Sequence, residues 1–179
     1  DASSVIPRQS PHVGVPRYGV TVRGKRLFAR MGTAWTGDGE LPGEGGRGSR
    51  LIGIDLPTQK LVFEKQPPGT SGWEFEGSPL ATDARVYVSL RRRDPAGAQV
   101  RVACYAINTG RLVWQRDVVR GEAVGDVSFE MASGALTLGH DTLYYNTNLG
   151  AVAALRLKDG GVRWLCQYER SGLHGDDPD

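Results

Sequence analysis

The segment Tyr105–Trp114 reads YAINTGRLVW, and two other segments of the chain repeat its pattern. Ile54–Phe63 reads IDLPTQKLVF, and Leu155–Trp164 reads LRLKDGGVRW. Each segment is a short apolar stretch, a polar turn, and a second apolar stretch that ends in a large aromatic residue. The final aromatic residues are 51 and 50 positions apart. The chain therefore contains an internal repeat, which has to be recognised before any other feature is interpreted.

A second predicted hairpin precedes each of these segments. Apolar and polar residues alternate in its strands, and its turns are short, as antiparallel pairing requires. The predicted strands are Tyr18–Val22 with Arg26–Arg30, Ser78–Ala81 with Arg85–Leu90, and Ala135–Leu138 with Thr142–Asn146. Each repeat thus reads as a four-stranded antiparallel sheet. A single sheet of this kind cannot bury both faces, so successive sheets must stack to form the core, as in a β-propeller.

The composition excludes several other classes of protein. The chain has 179 residues, a net charge of +2, 25 glycines and 10 prolines. The Gly and Pro content is typical of many short strands joined by turns. The charge is too small to predict nucleic-acid binding without a concentrated basic patch. No apolar run approaches the roughly 20 residues that span a bilayer, so we expect no membrane span in this segment.

The two cysteines, Cys104 and Cys166, are predicted to be free thiols because they occupy non-equivalent strand positions in different repeats. A disulfide requires a Cα separation of about 4.4–6.8 Å, which we do not expect from this placement. With Trp114 they also follow the Cys…Trp…Cys order of an immunoglobulin sandwich. That fold expects a Tyr two residues before the second cysteine, where Trp164 stands, so we reject it.

The repeats resemble those of a known family. Cys104–Trp114 is similar to the outer hairpin of the PQQ-binding-like (quinoprotein-type) propeller repeat, whose pattern is A-x-D-x-x-T-G-x-x-x-W. Tyr144–Leu155 is similar to the Y-x-x-x-x-x-G-x-x-x-A-L core of the same family. The first repeat departs from the pattern, because Pro57–Gln59 replace the Thr-Gly turn and Phe63 replaces the Trp. The resemblance covers about residues 17–170.

The resemblance implies a role for the recurring aromatic residues and a cellular location. In this family the Trp at the end of the outer strand packs between neighbouring blades, which implies inter-blade packing for Phe63, Trp114 and Trp164. A large aromatic residue at a fixed strand position is also far more often a packing element than a ligand platform. The family further implies a bacterial protein exported to the periplasm or cell envelope.

The predicted fold class is all-β, with about three propeller blades at residues 17–66, 75–117 and 128–170. Residues 1–16 are expected to be a linker or the end of a preceding blade, and residues 171–179 a disordered tail. Propellers typically close with four to eight blades, so three blades leave two apolar faces uncovered. The chain is therefore expected to be a portion of a longer propeller, or to complete a ring with other copies. The absence of an initiator Met favours the first expectation.

Candidate binding residues fall in long predicted loops on one face of the propeller, where binding function concentrates. One loop carries Trp35, a second carries Trp73, and a third carries Arg91, Arg92 and Arg93. The arginines could hold an acidic partner, since guanidinium presents a fixed fork of donors, or could form a solvated rim. The two tryptophans could anchor a partner or plug the ends of the blades.

The sequence predicts no catalytic residues, no metal ligands and no cofactor. We find no nucleophile–base constellation, and none of the three histidines has a companion at metal-ligand spacing. We therefore expect a non-catalytic scaffold that is not an enzyme and binds a protein partner. One alternative is a fragment of a PQQ-dependent dehydrogenase, although the adjacent cysteines of those enzymes are missing. Another is the sensor propeller of a membrane receptor or kinase. We expect binding of neither PQQ nor calcium.

Overall fold

A computed structural model of the chain describes residues 19–31, 49–69, 72–94, 97–121 and 134–168. These residues form twelve strands and contain no helix. The first sheet contains β1 (Val20–Arg23), β2 (Arg26–Met31), β3 (Arg50–Asp55) and β4 (Lys60–Lys65). The second contains β5 (Trp73–Ala81), β6 (Arg85–Asp94), β7 (Gly97–Ala106) and β8 (Leu112–Gly121). The third contains β9 (Ala135–Gly139), β10 (Thr142–Asn146), β11 (Ala151–Arg156) and β12 (Val162–Gln167).

The strands of each sheet pair in the order of the sequence, and every pairing is antiparallel. This is the four-stranded meander of a propeller blade, repeated three times. The prediction of an all-β partial propeller is confirmed.

The aromatic residue of each repeat follows an irregularity in the pairing of the last two strands. The register between the third and fourth strands shifts immediately beside the pairs Gly53–Phe63, Cys104–Trp114 and Ala154–Trp164. An extra residue on one strand changes the face to which the next side chain points. The three aromatic rings consequently occupy the same position in their sheets.

Two hydrophobic cores lie between the three sheets. In the first, Phe28, Leu51 and Phe63 of the first sheet pack against residues of the second, including Phe75, Val86 and Leu90. A further set of buried residues, Tyr87, Val100, Val102 and Cys104 with Leu143, Tyr145, Ala153 and Leu155, forms the second core, between the second and third sheets. The second sheet is therefore buried on both faces, and hydrophobic burial between sheets holds the repeats together.

Each terminal sheet keeps one face that no other described residue covers well. On the first sheet, Val20, Val22 and Leu61 are 60%, 58% and 55% exposed. On the third sheet, Trp164 and Tyr144 are 46% and 38% exposed. These apolar faces correspond to the two uncovered blade faces that the sequence predicts.

The second sheet is longer than its neighbours and extends past them at the β6–β7 hairpin. Its strands have 9 or 10 residues, whereas those of the other sheets have 4 to 6. The sequence placed Trp73 and Arg91–Arg93 in loops, and this placement is wrong. Backbone pairing of β6 with β7 continues to Asp94 and Gly97, because the extended arginine backbone still supplies the ladder hydrogen bonds.

Candidate functional site

The extended end of the second sheet carries a concentration of arginines. Trp73 pairs with Arg92, Arg92 with Gln99, and Gln99 with Arg120 across the four strands. Directly opposed residues of a sheet project to the same face, so these side chains form one row. Arg101 is two residues from Gln99 on β7 and projects to that face as well. We call Trp73, Arg92, Arg101 and Arg120 the basic corner.

Trp73 is the centre of the basic corner but contributes little accessible surface. Its side chain belongs to the core between the first and second sheets and is 6% exposed. The guanidinium carbon of Arg101 lies 4.2 Å from the centre of the Trp73 ring, and that of Arg92 lies 5.2 Å from it. Cation–π contacts of this kind are worth about 0.5–2 kcal/mol. The indole therefore orients two arginines, of which Arg92 is half-buried and Arg101 has a side chain only 13% exposed.

Hydrogen bonds fix the same two arginines further. Arg101 Nε donates to Asp117 Oδ1 at 2.5 Å, and Arg101 Nη1 donates to the Pro68 carbonyl at 3.4 Å. Arg92 Nη2 donates to Gln99 Oε1 at 2.9 Å. Asp117 is an exposed carboxylate, so it balances one of the positive charges in part. These contacts hold the two guanidinium groups in place beside Arg120, the exposed arginine of the basic corner, and guanidinium is a group that binds carboxylate and phosphate oxygens.

The other predicted arginines lie elsewhere. Arg91 projects to the opposite face from Arg92 and is buried between the second and third sheets. Its Nε forms an ion pair with Glu76 Oε1 at 2.9 Å, and its Nη2 donates to the Thr147 carbonyl at 3.2 Å. Arg93 is exposed near the end of the hairpin. Trp35 lies outside the described residues.

The recurring aromatic residues contact the next sheet along the chain. Phe63 lies against Gly110, and Trp114 lies against Gly160. Trp114 Nε1 also donates a hydrogen bond to the Leu157 carbonyl at 3.1 Å. These contacts support the proposed inter-blade role of Phe63 and Trp114. For Trp164, on the third sheet, the role stays a proposal.

Sequence reasoning missed Arg26 and Arg116, two arginines that also join neighbouring sheets. Arg26 Nη1 donates to the Ile107 carbonyl at 2.7 Å, and Arg116 Nε donates to the Gly160 carbonyl at 3.1 Å. Each contact spans more than 40 residues of sequence. Alignment of the repeats places Ile107 at the same hairpin position as Leu157, whose carbonyl accepts a hydrogen bond from Trp114 across its interface. That equivalence is the signal that could have indicated a donor to the Ile107 carbonyl, which is Arg26.

Both cysteines are free, which confirms the prediction. Cys104 is buried in the second core, and Cys166 is exposed on β12. Burial raises the pKa of the Cys104 thiol to about 12, so this thiol is not a nucleophile near neutral pH. Among the residues that the structure describes, no group of three or more His, Cys, Asp or Glu side chains could hold a metal ion.

A protein-family model described as outer membrane protein assembly factor BamB matches residues 9–171. The chain belongs to this family. The match agrees with the PQQ-like propeller repeats and the three stacked sheets. No curated protein sequence matches the chain. In the described part of this BamB-family chain, no helix is long and apolar enough to cross a membrane.

Solved structures with the same fold include enzymes and a BamB protein. Quinohemoprotein alcohol dehydrogenase ADHIIG from Pseudomonas putida HK5 superposes with a TM-score of 0.58 at 16% identity, over 83% of this chain and 26% of that chain. A europium-containing methanol dehydrogenase superposes with a TM-score of 0.59 at 19% identity, over 83% of this chain and 31% of that chain. BamB from Moraxella catarrhalis superposes with a TM-score of 0.50 at 21% identity, over 83% of this chain and 39% of that chain. At these identities the likeness shows the fold alone. This BamB-family chain spans well under half the length of each structure.

The expectation that the chain is not an enzyme is wrong. Quinohemoprotein alcohol dehydrogenases and a methanol dehydrogenase share its fold, so the architecture is one that enzymes use. The expectation rested on the lack of a nucleophile–base pair in the sequence. A propeller arranges its blades around a central channel, and a site there draws residues from several blades. The residues of three blades therefore do not decide whether a whole propeller is catalytic.

Proposed function

We propose that this BamB-family chain forms part of a larger propeller in an exported bacterial protein of the periplasm or cell envelope. In this proposal the basic corner of the second sheet binds an acidic segment of a protein partner. The observation that carries it is the pair of guanidinium groups held on Trp73 at 4.2 and 5.2 Å, at the end of the only sheet that extends past its described neighbours.

The chemistry of the basic corner supports an acidic partner. Arg120 is exposed and lies in the same cross-strand row as Arg92 and Gln99. Guanidinium groups that are held in place lose little conformational freedom when they bind carboxylates, which favours affinity. Loops and hairpins that project from a rigid sheet are also the usual place for binding residues. Trp73 then acts by orienting the arginines, and not by inserting into the partner.

The test is site-specific photo-crosslinking in the intact protein in its native envelope. We expect a crosslinker at Arg93 to capture a defined protein, because that residue lies at the exposed end of the extended hairpin. The matched control is a crosslinker at Lys158. This residue lies in the last hairpin of the third sheet, away from the basic corner. Equal capture of the same protein from Lys158 would contradict binding at the basic corner.

Charge reversal gives the second arm of this test. Arg120→Glu replaces an exposed cation in the basic corner and is expected to weaken capture at Arg93 about tenfold. Lys158→Glu makes the same change of charge away from the corner and is expected to have no effect. If both variants behave alike, the interaction does not depend on the basic corner.

Part of a quinone-dependent dehydrogenase is the second candidate, favoured by the fold shared with alcohol and methanol dehydrogenases. Titration of the intact protein with PQQ and calcium, followed by quinone absorbance and melting temperature, distinguishes the two candidates. Saturable binding at micromolar quinone with a calcium-dependent rise in melting temperature would favour the dehydrogenase.

A further inference from the structure

The short turns of the three sheets form one continuous layer at the end of the sheets opposite the β6–β7 hairpin. Within each sheet a backbone hydrogen bond joins the two turns. Its donors and acceptors are Leu56 N with the Lys25 carbonyl, Ile107 N with that of Ala84, and Leu157 N with that of Asp141, at 2.8, 3.1 and 3.0 Å. Between sheets, Arg26 donates to the Ile107 carbonyl and Arg116 to the Gly160 carbonyl. We call this layer, residues 23–26, 55–60, 82–85, 107–111, 139–142 and 156–163, the turn face.

The turn face has an excess of positive charge, and all of it lies within the described residues. Its cations are Arg23, Lys25, Arg26, Lys60, Arg85, Arg111, Arg156, Lys158 and Arg163, and its carboxylates are Asp55, Asp83, Asp141 and Asp159. Nine cations and four carboxylates give the turn face a net charge of +5, whereas the whole chain has +2. The remaining residues are therefore acidic in sum, and the positive charge of the chain is concentrated at this end.

The carboxylates of the turn face are each held by a neighbouring group. Three of them form ion pairs with arginines of the same face, which are Asp83 with Arg23, Asp159 with Arg156, and Asp141 with Arg163. The fourth, Asp55, accepts hydrogen bonds from the backbone N and the Oγ1 of Thr58 in its own turn, at 3.2 and 2.6 Å. The negative charge of the turn face is thus already engaged within the protein.

Four cations of the turn face are exposed and form no ion pair with another described residue. They are Lys25 and Lys60 on the first sheet, Arg111 on the second and Lys158 on the third. Each turn of this face has only two to five residues between its strands, so the cations are spread over a layer without long loops. An acidic protein segment matches cations that are gathered in one place, as at the basic corner. A bilayer with anionic lipids presents negative charge over a plane and attracts every Lys or Arg near it.

We propose that the turn face binds the surface of a bilayer that contains anionic lipid headgroups. Binding is electrostatic, and the basic corner points away from the bilayer. Arg93 and Arg120 each lie eight residues along their strands from the end at the turn face, which is about 26 Å at about 3.3 Å per residue. This distance exceeds the Debye length of about 10 Å at 0.1 M salt. The basic corner therefore contributes little to membrane binding and stays accessible to a protein partner.

Flotation of the intact protein with lipid vesicles tests the proposal. The vesicles contain phosphatidylglycerol and phosphatidylcholine in equal parts, and vesicles of phosphatidylcholine alone are the lipid control. We expect binding to the anionic vesicles only, with release at about 1 M salt, where the Debye length falls to about 3 Å. Equal binding to both kinds of vesicle, or binding to neither, would overturn the proposal.

Removal of charge locates the binding surface. Lys25→Gln with Arg111→Gln removes two cations, and only backbone atoms of these residues take part in the described hydrogen bonds, so we expect the fold to be kept. Each cation near an anionic surface contributes about fivefold to affinity, so the expected loss is about 25-fold. Arg93→Gln with Arg120→Gln is the matched control at the other end of the second sheet and should change affinity less than about twofold. Equal losses in the two double variants would overturn the proposal.

An acidic protein is the alternative partner of the turn face, and polyglutamate is the probe for it. Binding of polyglutamate but not of anionic vesicles, weakened by Lys25→Gln with Arg111→Gln, would overturn the proposal in favour of an acidic protein. This inference and the proposed function fail separately. Lys158→Glu is expected to weaken vesicle binding and to leave capture at Arg93 unchanged, whereas Arg120→Glu is expected to weaken capture and to leave vesicle binding unchanged.

Discussion

Trp114 Nε1 donates a hydrogen bond to the carbonyl oxygen of Leu157 at 3.1 Å, and so joins the second sheet to the third. The equivalent carbonyl in the interface between the first and second sheets belongs to Ile107. The equivalent aromatic residue there is Phe63, which has no N–H group in its side chain, and Arg26 Nη1 donates to that carbonyl at 2.7 Å instead. A guanidinium from another strand therefore supplies the hydrogen bond that an indole supplies in the next interface.

Replacement of Trp114 should separate the contribution of the ring from that of its N–H group. Trp114→Ala removes a partly buried aromatic ring that packs against the second core and is expected to cost about 3 kcal/mol of unfolding free energy, the low end for an aromatic residue. Trp114→Phe keeps most of the packing but leaves the Leu157 carbonyl without its donor, at a cost of about 1 kcal/mol. Urea unfolding of both variants measures the difference. A loss below about 1 kcal/mol for Trp114→Ala would show that the repeat assignment is incorrect.

Arg26 and Phe63 should be energetically coupled. Arg26→Met removes the donor to the Ile107 carbonyl and is expected to cost about 1–3 kcal/mol. Phe63→Trp is expected to recover part of that loss in the Arg26→Met background, because the new indole N–H can reach the same carbonyl. A double-mutant cycle measures the coupling. Arg85→Met is the matched control, since the Arg85 guanidinium donates to the Ala84 carbonyl within its own turn and not across the interface.

Gly160 should tolerate substitution far less well than Gly24, although both have positive φ. Gly24 is at φ +57°, and a Cβ added there would meet no atom within 4 Å, so Gly24→Ala measures backbone strain alone, about 1–2 kcal/mol. Gly160→Ala adds a collision with the Trp114 ring and is expected to cost about 1–3 kcal/mol more. Melting temperatures of the two variants compare them directly. Equal losses would mean that the Trp114 ring packs on Gly160 less closely than the structure shows.

The sequence was sufficient to predict the repeat, the strands of each hairpin and the position of the aromatic residues. These features follow from local signals, which are the alternation of apolar and polar residues, the turn residues, and an aromatic residue at a fixed interval. Phe63 and Trp114 could be recognised because their positions recur.

The features that the sequence did not predict depend on neighbours distant in the chain. Arg91–Arg93 read as a polar loop, because a run of charged residues carries no alternation that marks a strand. Pairing with β7 makes the run a strand, and the faces of the sheet then separate Arg91 from Arg92. The stacking of Arg92 and Arg101 on Trp73 likewise requires three strands to be in register, which no local pattern specifies.

Three buried groups of the second core, Tyr87, Cys104 and Tyr145, should make stability sensitive to alkaline pH, because burial raises the pKa of each. Burial, the largest cause, raises the pKa of the Cys104 thiol from 9.0 to about 12 and that of the neighbouring Tyr87 hydroxyl from 10.0 to about 12. The folded protein therefore retains these protons when the unfolded chain has lost them. The stability that Cys104 contributes is fully present below about pH 9 and is lost as the pH rises toward 12.

The unfolding free energy should accordingly fall above pH 9, by up to about 1.4 kcal/mol per pH unit for each such group. Cys104→Ala removes one of the three groups and is expected to make the decline between pH 9 and 11 less steep, even though the smaller side chain lowers stability at pH 7. Cys166→Ala removes an exposed thiol and is the matched control for the loss of a cysteine. Urea titrations at intervals of half a pH unit measure how the unfolding free energy changes with pH in the unaltered protein and in the two variants. If Cys104→Ala declines as steeply as the unaltered protein, the thiol is not held protonated by burial between the second and third sheets.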